Sequence, residues 1–291
     1  MNAQEVVQLT ENQLYTMFAG IHWSTLDSDT RLCLLQEVEN RRAKIDGRQP
    51  LKVSVAKMRP SMMGACCTHE DGSQELVLNE RFVKGSRFGV HTAGEALNTI
   101  LHEGRHAYQS HCIREGKGNV SRRMILEWMM SQENYINPAA GKELYMLQAL
   151  EMDARYFARR EVKRINDMLV ADGELDLGMF IQVERDKQLE AILIKRIRSK
   201  LTMEHLDALE KAVLDRFKEA HPDVDVSGIR LFEEARLVLK HPELNRLDDV
   251  LELMDCCMDE KIDRVDDDVD EMDRKLDHTG LMRVAASRRK L

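Results

Sequence analysis

Apolar positions recur every three or four residues over most of the chain, the spacing that places them on one face of an α-helix. Apolar and polar residues alternate instead over 51–55 and 75–79, and turn-forming residues occupy 69–73. The chain is therefore predicted to be mainly α (α+β), with a small sheet that includes a hairpin between 62–68 and 75–79. The predicted helices span 28–46, 94–115, 121–133, 141–172, 184–200, 203–220, 229–240 and 246–277.

Composition shifts only softly along the chain, near residue 180. We expect an N-terminal helical segment at 1–47, a domain at 48–170, and a helical region at 180–291 that completes or flanks this domain. An apolar stripe with three- and four-residue spacing runs through the predicted helix 246–277. Such a stripe indicates packing on the helices of 184–220, or contact with a protein partner.

Charge and composition narrow the class of protein. Hydrophobic residues make up 43% of the 291 residues and charged residues 32%, which is typical of a folded soluble protein. The formal net charge of −8 argues against nucleic acid as the main partner. No segment approaches the roughly 20 apolar residues that a membrane helix needs. We expect a cytoplasmic protein, or one exported without a cleavable signal peptide, whose six cysteines are free thiols.

The segment 95–112, EALNTILHEGRHAYQSHC, carries the candidate chemistry. His102 and His106 are four residues apart, so a helix projects both imidazoles from one face. That spacing lets two ring nitrogens bind one zinc ion at about 2.0–2.1 Å. Glu103 lies roughly 100° round the helix from His102. It can therefore address a water at the metal as a general base without being a ligand.

The third metal ligand has to come from a different helix. Cys112 lies about 15 Å along the helix axis from His102, too far to share a metal, and His111 fails similarly. The segment 143–160 offers Glu151 and, in reserve, Glu143.

Small residues single out one face of that second segment. Ala154 and Ala158 share the face of Glu151 and would let the helix approach the histidine helix closely. Asp153 lies on another face. We expect its carboxylate to hydrogen-bond a ligand imidazole.

The segment 96–109, ALNTILHEGRHAYQ, resembles the motif helix of the zincin peptidases, in particular the type whose third ligand is a glutamate on a later helix. It also resembles zinc-peptidase domains of bacterial toxins and secreted effectors. The resemblance covers about residues 50–165 and is strongest at the two motif helices. The run EMDARYFA is similar to the E-x-x-A-x-x-F-A signature of gluzincin-like families, which implies Glu151 as the ligand. The resemblance as a whole implies a zincin-like domain at 48–170 and zinc metallopeptidase activity on a peptide or protein substrate.

Several points stay open at the level of sequence. A donor for the oxyanion is needed, and Tyr108, Tyr135, Tyr145 and Tyr156 are all candidates. In zincins, which the segment resembles, an edge strand that precedes the motif helix pairs with the extended substrate. The strand 75–79 precedes the motif helix here, although a purely structural strand fits equally well. Two other functions remain: a helical interaction protein with a structural or vestigial zinc site, and a zinc hydrolase of a non-peptide bond.

Overall fold

The computed structural model describes residues 3–84, 91–138, 141–174, 181 and 183–243, and they are mostly helical with one small mixed sheet. The predicted helix 246–277, with Cys256 and Cys257, lies outside the described residues. Within the described ranges, none of the helices carries an apolar stretch of the length that crossing a bilayer requires. In chain order the elements are α1 (Ala3–Val7), α2 (Glu11–Thr16), α3 (Gly20–Thr25), α4 (Ser28–Ile45), β1 (Lys52–Ala56), β2 (Gly64–Thr68), β3 (Gln74–Asn79), α5 (Arg81–Lys84), α6 (His91–Glu115), α7 (Arg122–Glu133), α8 (Lys142–Met146), α9 (Ala149–Ala171), α10 (Glu184–Lys200), α11 (Met203–Ala220) and α12 (Glu233–Lys240).

The three strands form a sheet in the order β1-β3-β2. The β2–β3 pair is the predicted hairpin: it is antiparallel, and its turn has a hydrogen bond from the His69 N–H to the Ser73 carbonyl. Gly72 has φ +81° in this turn, a conformation that glycine adopts at little cost. β1 pairs with β3 in parallel, so β3 is the central strand. The strand at 75–79 is therefore central, which agrees with the purely structural alternative, and among the described strands β1 and β2 stand at the edges.

The chain divides into two compact units. The first comprises Met1–Ser110 and Asp153–Asp186, and holds the sheet and most of α6 and α9. Its core includes Leu34 and Leu35 of α4, Leu76 and Leu78 of β3, and apolar residues of α6. The second comprises His111–Met152 and residues from Lys187 onward. There α11 packs against α7 and α12. The expected segments 1–47, 48–170 and 180–291 stay predictions about folding units.

The single helix predicted at 141–172 is broken into α8 and α9 at Leu147 and Gln148. Gln148 is buried, and its side-chain amide accepts from the N–H of Ile136 at 2.6 Å and donates to the carbonyl of Ile136 at 3.0 Å. The two hydrogen bonds that Gln148 makes to the backbone of Ile136 compensate for the helix hydrogen bonds that are lost where the helix breaks. The apolar periodicity is the same on both sides, and for this reason it did not predict the interruption.

A buried ion pair fastens α4 to the motif helix α6. The side chains of Arg48 and Glu39 are 3% and 1% exposed, with both oxygens of Glu39 bonded to Arg48 at 2.6 and 2.9 Å. Arg48 also donates to the carbonyl of Gly104 at 3.2 Å. A Cβ at Gly104 would lie 3.3 Å from a Glu39 oxygen, so a glycine inside the H-E-x-x-H segment gives this pair its room.

Replacement of Arg48 by Met should destabilise the protein by about 3–5 kcal/mol, because Glu39 is left charged and buried without its partner. Urea unfolding monitored by circular dichroism measures this change. The double variant Glu39→Gln with Arg48→Met should be more stable than Arg48→Met alone. As a control, Lys163→Met breaks the exposed Lys163–Asp167 pair and should change stability by less than about 1 kcal/mol. Equal losses for the buried and exposed pairs would contradict this account.

Candidate metal centre

The two histidines of the motif face one another on α6. The Nε2 atoms of His102 and His106 are 3.2 Å apart, and the rings meet edge to face at 88°. Ile100, Leu101 and Ala107 on the same helix are buried, which holds this stretch of α6 against the core. Two zinc ligands in a tetrahedral site, each about 2.0–2.1 Å from the metal, are about 3.3 Å apart. The imidazole pair therefore already has the spacing of two ligands of one ion.

A carboxylate of α9 completes the cluster. One ligand atom each of His102, His106 and Glu151 lie within 4.8 Å of one another. Glu151 is only 5% exposed, and a buried carboxylate needs cations or hydrogen-bond donors around it. Ala154 and Ala158 on the same helix are fully buried, as expected for small residues where helices approach closely. Two imidazole nitrogens and a carboxylate oxygen are a donor set that suits zinc.

A hydrogen-bond chain assigns the proton on His106. The Gln109 side-chain N–H donates to Asp153 at 2.6 Å, because an ionised carboxylate can only accept. The oxygen of the same amide then faces Nδ1 of His106 at 2.8 Å, so Nδ1 carries the hydrogen. In a neutral ring this leaves the lone pair on Nε2, the atom that faces His102. The expected direct bond from Asp153 to a ligand imidazole is therefore wrong: Gln109 lies between the two and bonds to both.

Arg105, inside the motif, holds Asp153 in place. Its Nε and Nη2 atoms donate to the two Asp153 oxygens at 2.8 and 2.9 Å. The guanidinium also lies over the rings of Tyr108 and Phe157, 4.9 and 4.8 Å from their centroids. Burial alone lowers the pKa of Arg105, but the hydrogen bonds and charge of Asp153 outweigh it and raise that pKa. Asp153 therefore accepts hydrogen bonds from both Arg105 and Gln109, which lie before and after His106 on α6.

Glu103 lies where α6 passes strand β2. It is 7% exposed, and a Cβ built on Gly64 would lie 3.1 Å from its Cγ. Cys66, two residues along the same strand, also interacts electrostatically with Glu103. Burial first, and then the charge of Glu103, raise the pKa of the Cys66 thiol to about 12. The general-base candidate is thus covered on one side by an edge strand.

Tyr145, one of the four candidate tyrosines, contacts Glu151 of the candidate metal cluster. The hydroxyl of Tyr145 hydrogen-bonds to Glu151, and also to the hydroxyl of Tyr135. Burial, and after it the charge of Glu151, raise the pKa of Tyr145. The ring of Tyr108 lies beneath Arg105, and the hydroxyl of Tyr156 accepts a hydrogen bond from Arg160.

The other candidate ligands are placed elsewhere. The reserve ligand Glu143 accepts hydrogen bonds from Arg196 at 3.0 Å and Lys200 at 3.2 Å. It is absent from the cluster that the described residues form, as are His111 and Cys112.

Sequence reasoning missed two residues of this centre, Gln109 and Gly64, and did not single out Tyr145 among its four candidate tyrosines. Gln109 lies three residues after His106 and could have been found from that spacing, which places both on one helix face. Gly64 and Tyr145 carry no such signal, because their contacts depend on strand packing and on the break between α8 and α9.

No protein-family model, curated protein or solved structure matches this chain.

Alanine at position 64 should destabilise the protein by about 1–3 kcal/mol, the usual cost of overpacking. Its Cβ would lie 2.8 Å from Cγ2 of Thr99 and 3.2 Å from the Val77 carbonyl. Thr99→Ser removes Cγ2 but keeps the hydroxyl that donates to the Glu95 carbonyl. The double variant Gly64→Ala with Thr99→Ser should therefore recover part of the loss, as measured by urea unfolding of all four proteins. Strictly additive effects would mean that β2 does not approach α6 in this way.

Proposed function

We propose that this chain is a zinc-dependent peptidase with a zincin-like domain at about residues 48–170. His102, His106 and Glu151 would hold the ion, and Glu103 would be the general base. The observation that carries the proposal is the cluster itself, in which two imidazoles and a carboxylate from two helices lie within 4.8 Å of one another. The H-E-x-x-H order adds a glutamate beside the first ligand, as a hydrolytic zinc site requires.

The number of donors supports a catalytic site over a structural one. Structural zinc sites are closed by four protein ligands, whereas catalytic sites have three and keep a position for water or substrate. The described residues supply three donors here. Zinc in such a site polarises a substrate carbonyl and lowers the pKa of a water molecule toward 7.

The residues of the chain then have separate tasks. Glu103 accepts the proton of the attacking water and returns it to the departing amine nitrogen. Gln109 keeps the Nδ1 hydrogen on His106, so that Nε2 faces His102 with its lone pair. Asp153 holds Gln109, and Arg105 holds Asp153. Orientation of each ligand before the metal arrives lowers the entropy cost of binding it.

The sheet edge favours a peptide over other hydrolysable substrates. Among the described strands, β2 pairs with β3 alone, so its other side presents backbone N–H and C=O groups. An extended peptide can add to such an edge as a further strand. Gly64 brings this edge to Glu103, which would place a scissile bond beside the general base. A helical interaction protein with a vestigial zinc site, or a hydrolase of another bond, needs no such edge at this position.

Three substitutions separate the base from the ligands. Glu103→Gln should keep about one zinc per chain while turnover falls by roughly two or more orders of magnitude, the scale of general-base catalysis. Glu151→Ala should lose zinc affinity and activity together, because it removes a charged ligand. Asp153→Asn should reduce either quantity by about 10–100-fold. Zinc is measured by elemental analysis, and turnover by new peptide termini in a cell lysate incubated with the zinc-loaded protein.

Glu143→Gln is the matched control, since it changes a buried glutamate that pairs with Arg196 and Lys200 instead. It should keep both zinc and activity. The proposal fails if Glu103→Gln loses zinc while Glu151→Ala keeps it, or if no new termini appear with the unaltered protein. Closure of the site by a fourth protein ligand would favour the structural alternative.

A further inference from the structure

A short chain of hydroxyl groups leads from solvent to the third ligand. Tyr145 bonds to Glu151, and Tyr135 bonds to Tyr145. The two tyrosine rings meet edge to face at 81°, with centroids 6.0 Å apart. Tyr135 is 50% exposed, whereas Glu151 is 5% exposed. The hydroxyl of Tyr145 therefore connects a buried carboxylate to an exposed phenol.

Counting protons gives the direction of each bond. A tyrosine hydroxyl has one hydrogen, and an ionised carboxylate can only accept. Tyr145 must then donate to Glu151, which leaves only its oxygen lone pairs for Tyr135. Tyr135 is the donor to Tyr145. Aligned in this way, each bond polarises the next and strengthens the one that reaches Glu151.

The break between α8 and α9 makes this contact possible. In an unbroken helix, Tyr145 and Glu151 would be about 120° apart round the axis and about 9 Å apart along it, too far to hydrogen-bond. The turn at Leu147 and Gln148 removes that separation. Gln148 also bonds both backbone groups of Ile136, the residue after Tyr135. One buried amide thus brings both tyrosines to the ligand.

We infer that Tyr145, supported by Tyr135, is a positioning residue that orients the Glu151 carboxylate for metal binding. This inference rests on the proposed metal centre and deepens it. Glutamate has three side-chain torsions, and fixing them costs conformational entropy. When a hydrogen bond already fixes these torsions in the metal-free protein, metal binding does not incur this cost again. His106 is oriented by Gln109 and Asp153, and Glu151 is oriented by the tyrosines. Both helices therefore present a ligand that is held before the ion binds.

The test compares zinc affinity among tyrosine variants of the full chain, by competition with a chelator at fixed pH. Tyr145→Phe should weaken zinc binding by about 10–100-fold, the effect of losing an outer partner of a ligand. Tyr135→Phe should weaken it by about 2–10-fold, the effect of a single hydrogen bond. Tyr156→Phe, which removes a hydroxyl bonded to Arg160 on the same helix, should leave zinc affinity unchanged.

A double-variant cycle separates positioning from a general loss of structure. In a Glu151→Gln background, Tyr145→Phe should have little further effect on zinc affinity, because its target carboxylate is gone. A merely structural role predicts the same loss in both backgrounds, together with lower stability of the metal-free protein.

Two results would overturn the inference, and they are distinguishable. Zinc affinity equal to that of the unaltered protein in both tyrosine variants, with a lower kcat in Tyr145→Phe, would assign Tyr145 to the substrate instead. Absence of zinc binding by the unaltered protein would overturn the metal centre itself, and the inference with it. If Tyr145→Phe does not fold, the Tyr135→Phe affinity decides.

Discussion

The ion pair between Arg105 and Asp153 is the constraint on which the geometry of the site depends. It joins α6 to α9 through two charge-assisted hydrogen bonds, within a setting of aromatic rings. Ion pairs removed from water often contribute little net stability, because desolvation offsets their attraction. Their geometry is specific all the same, since a bidentate arginine–carboxylate pair admits few orientations. Asp153 is two residues after Glu151, so the pair also restrains the position of Glu151, the proposed third ligand.

Two different sets of hydrogen bonds orient the proposed ligands His106 and Glu151. On α6, Asp153 holds Gln109, and Gln109 holds the hydrogen on Nδ1 of His106. On α9, the proposed route runs from Tyr135 through Tyr145 to Glu151. Each route satisfies polar groups that would otherwise be costly to bury. The result is a set of donors whose directions are set by the protein before any ion is present.

Local pattern was sufficient for much of this picture. The spacing of His102 and His106 needs only helix geometry. The alanine face of 143–160 favoured Glu151, and the resemblance of EMDARYFA to the gluzincin-like signature placed it ahead of Glu143. The hairpin followed from alternation and the turn at 69–73. The parallel pairing of β1 with β3 did not, because it joins segments separated by the hairpin and has no local signal. Tyr145 was one of four equivalent candidates, since its position depends on a helix break that Gln148 imposes from a distance.

The central claim is that His102, His106 and Glu151 bind one zinc ion with a position left for water or substrate. X-ray absorption at the zinc edge of the stoichiometrically loaded protein tests it most directly. The account predicts nitrogen and oxygen neighbours at about 2.0–2.2 Å, two of them imidazoles, with no sulfur shell. A sulfur neighbour at about 2.3 Å would make a cysteine such as Cys66 a ligand and would contradict the assignment. So would a signal that shows no imidazole.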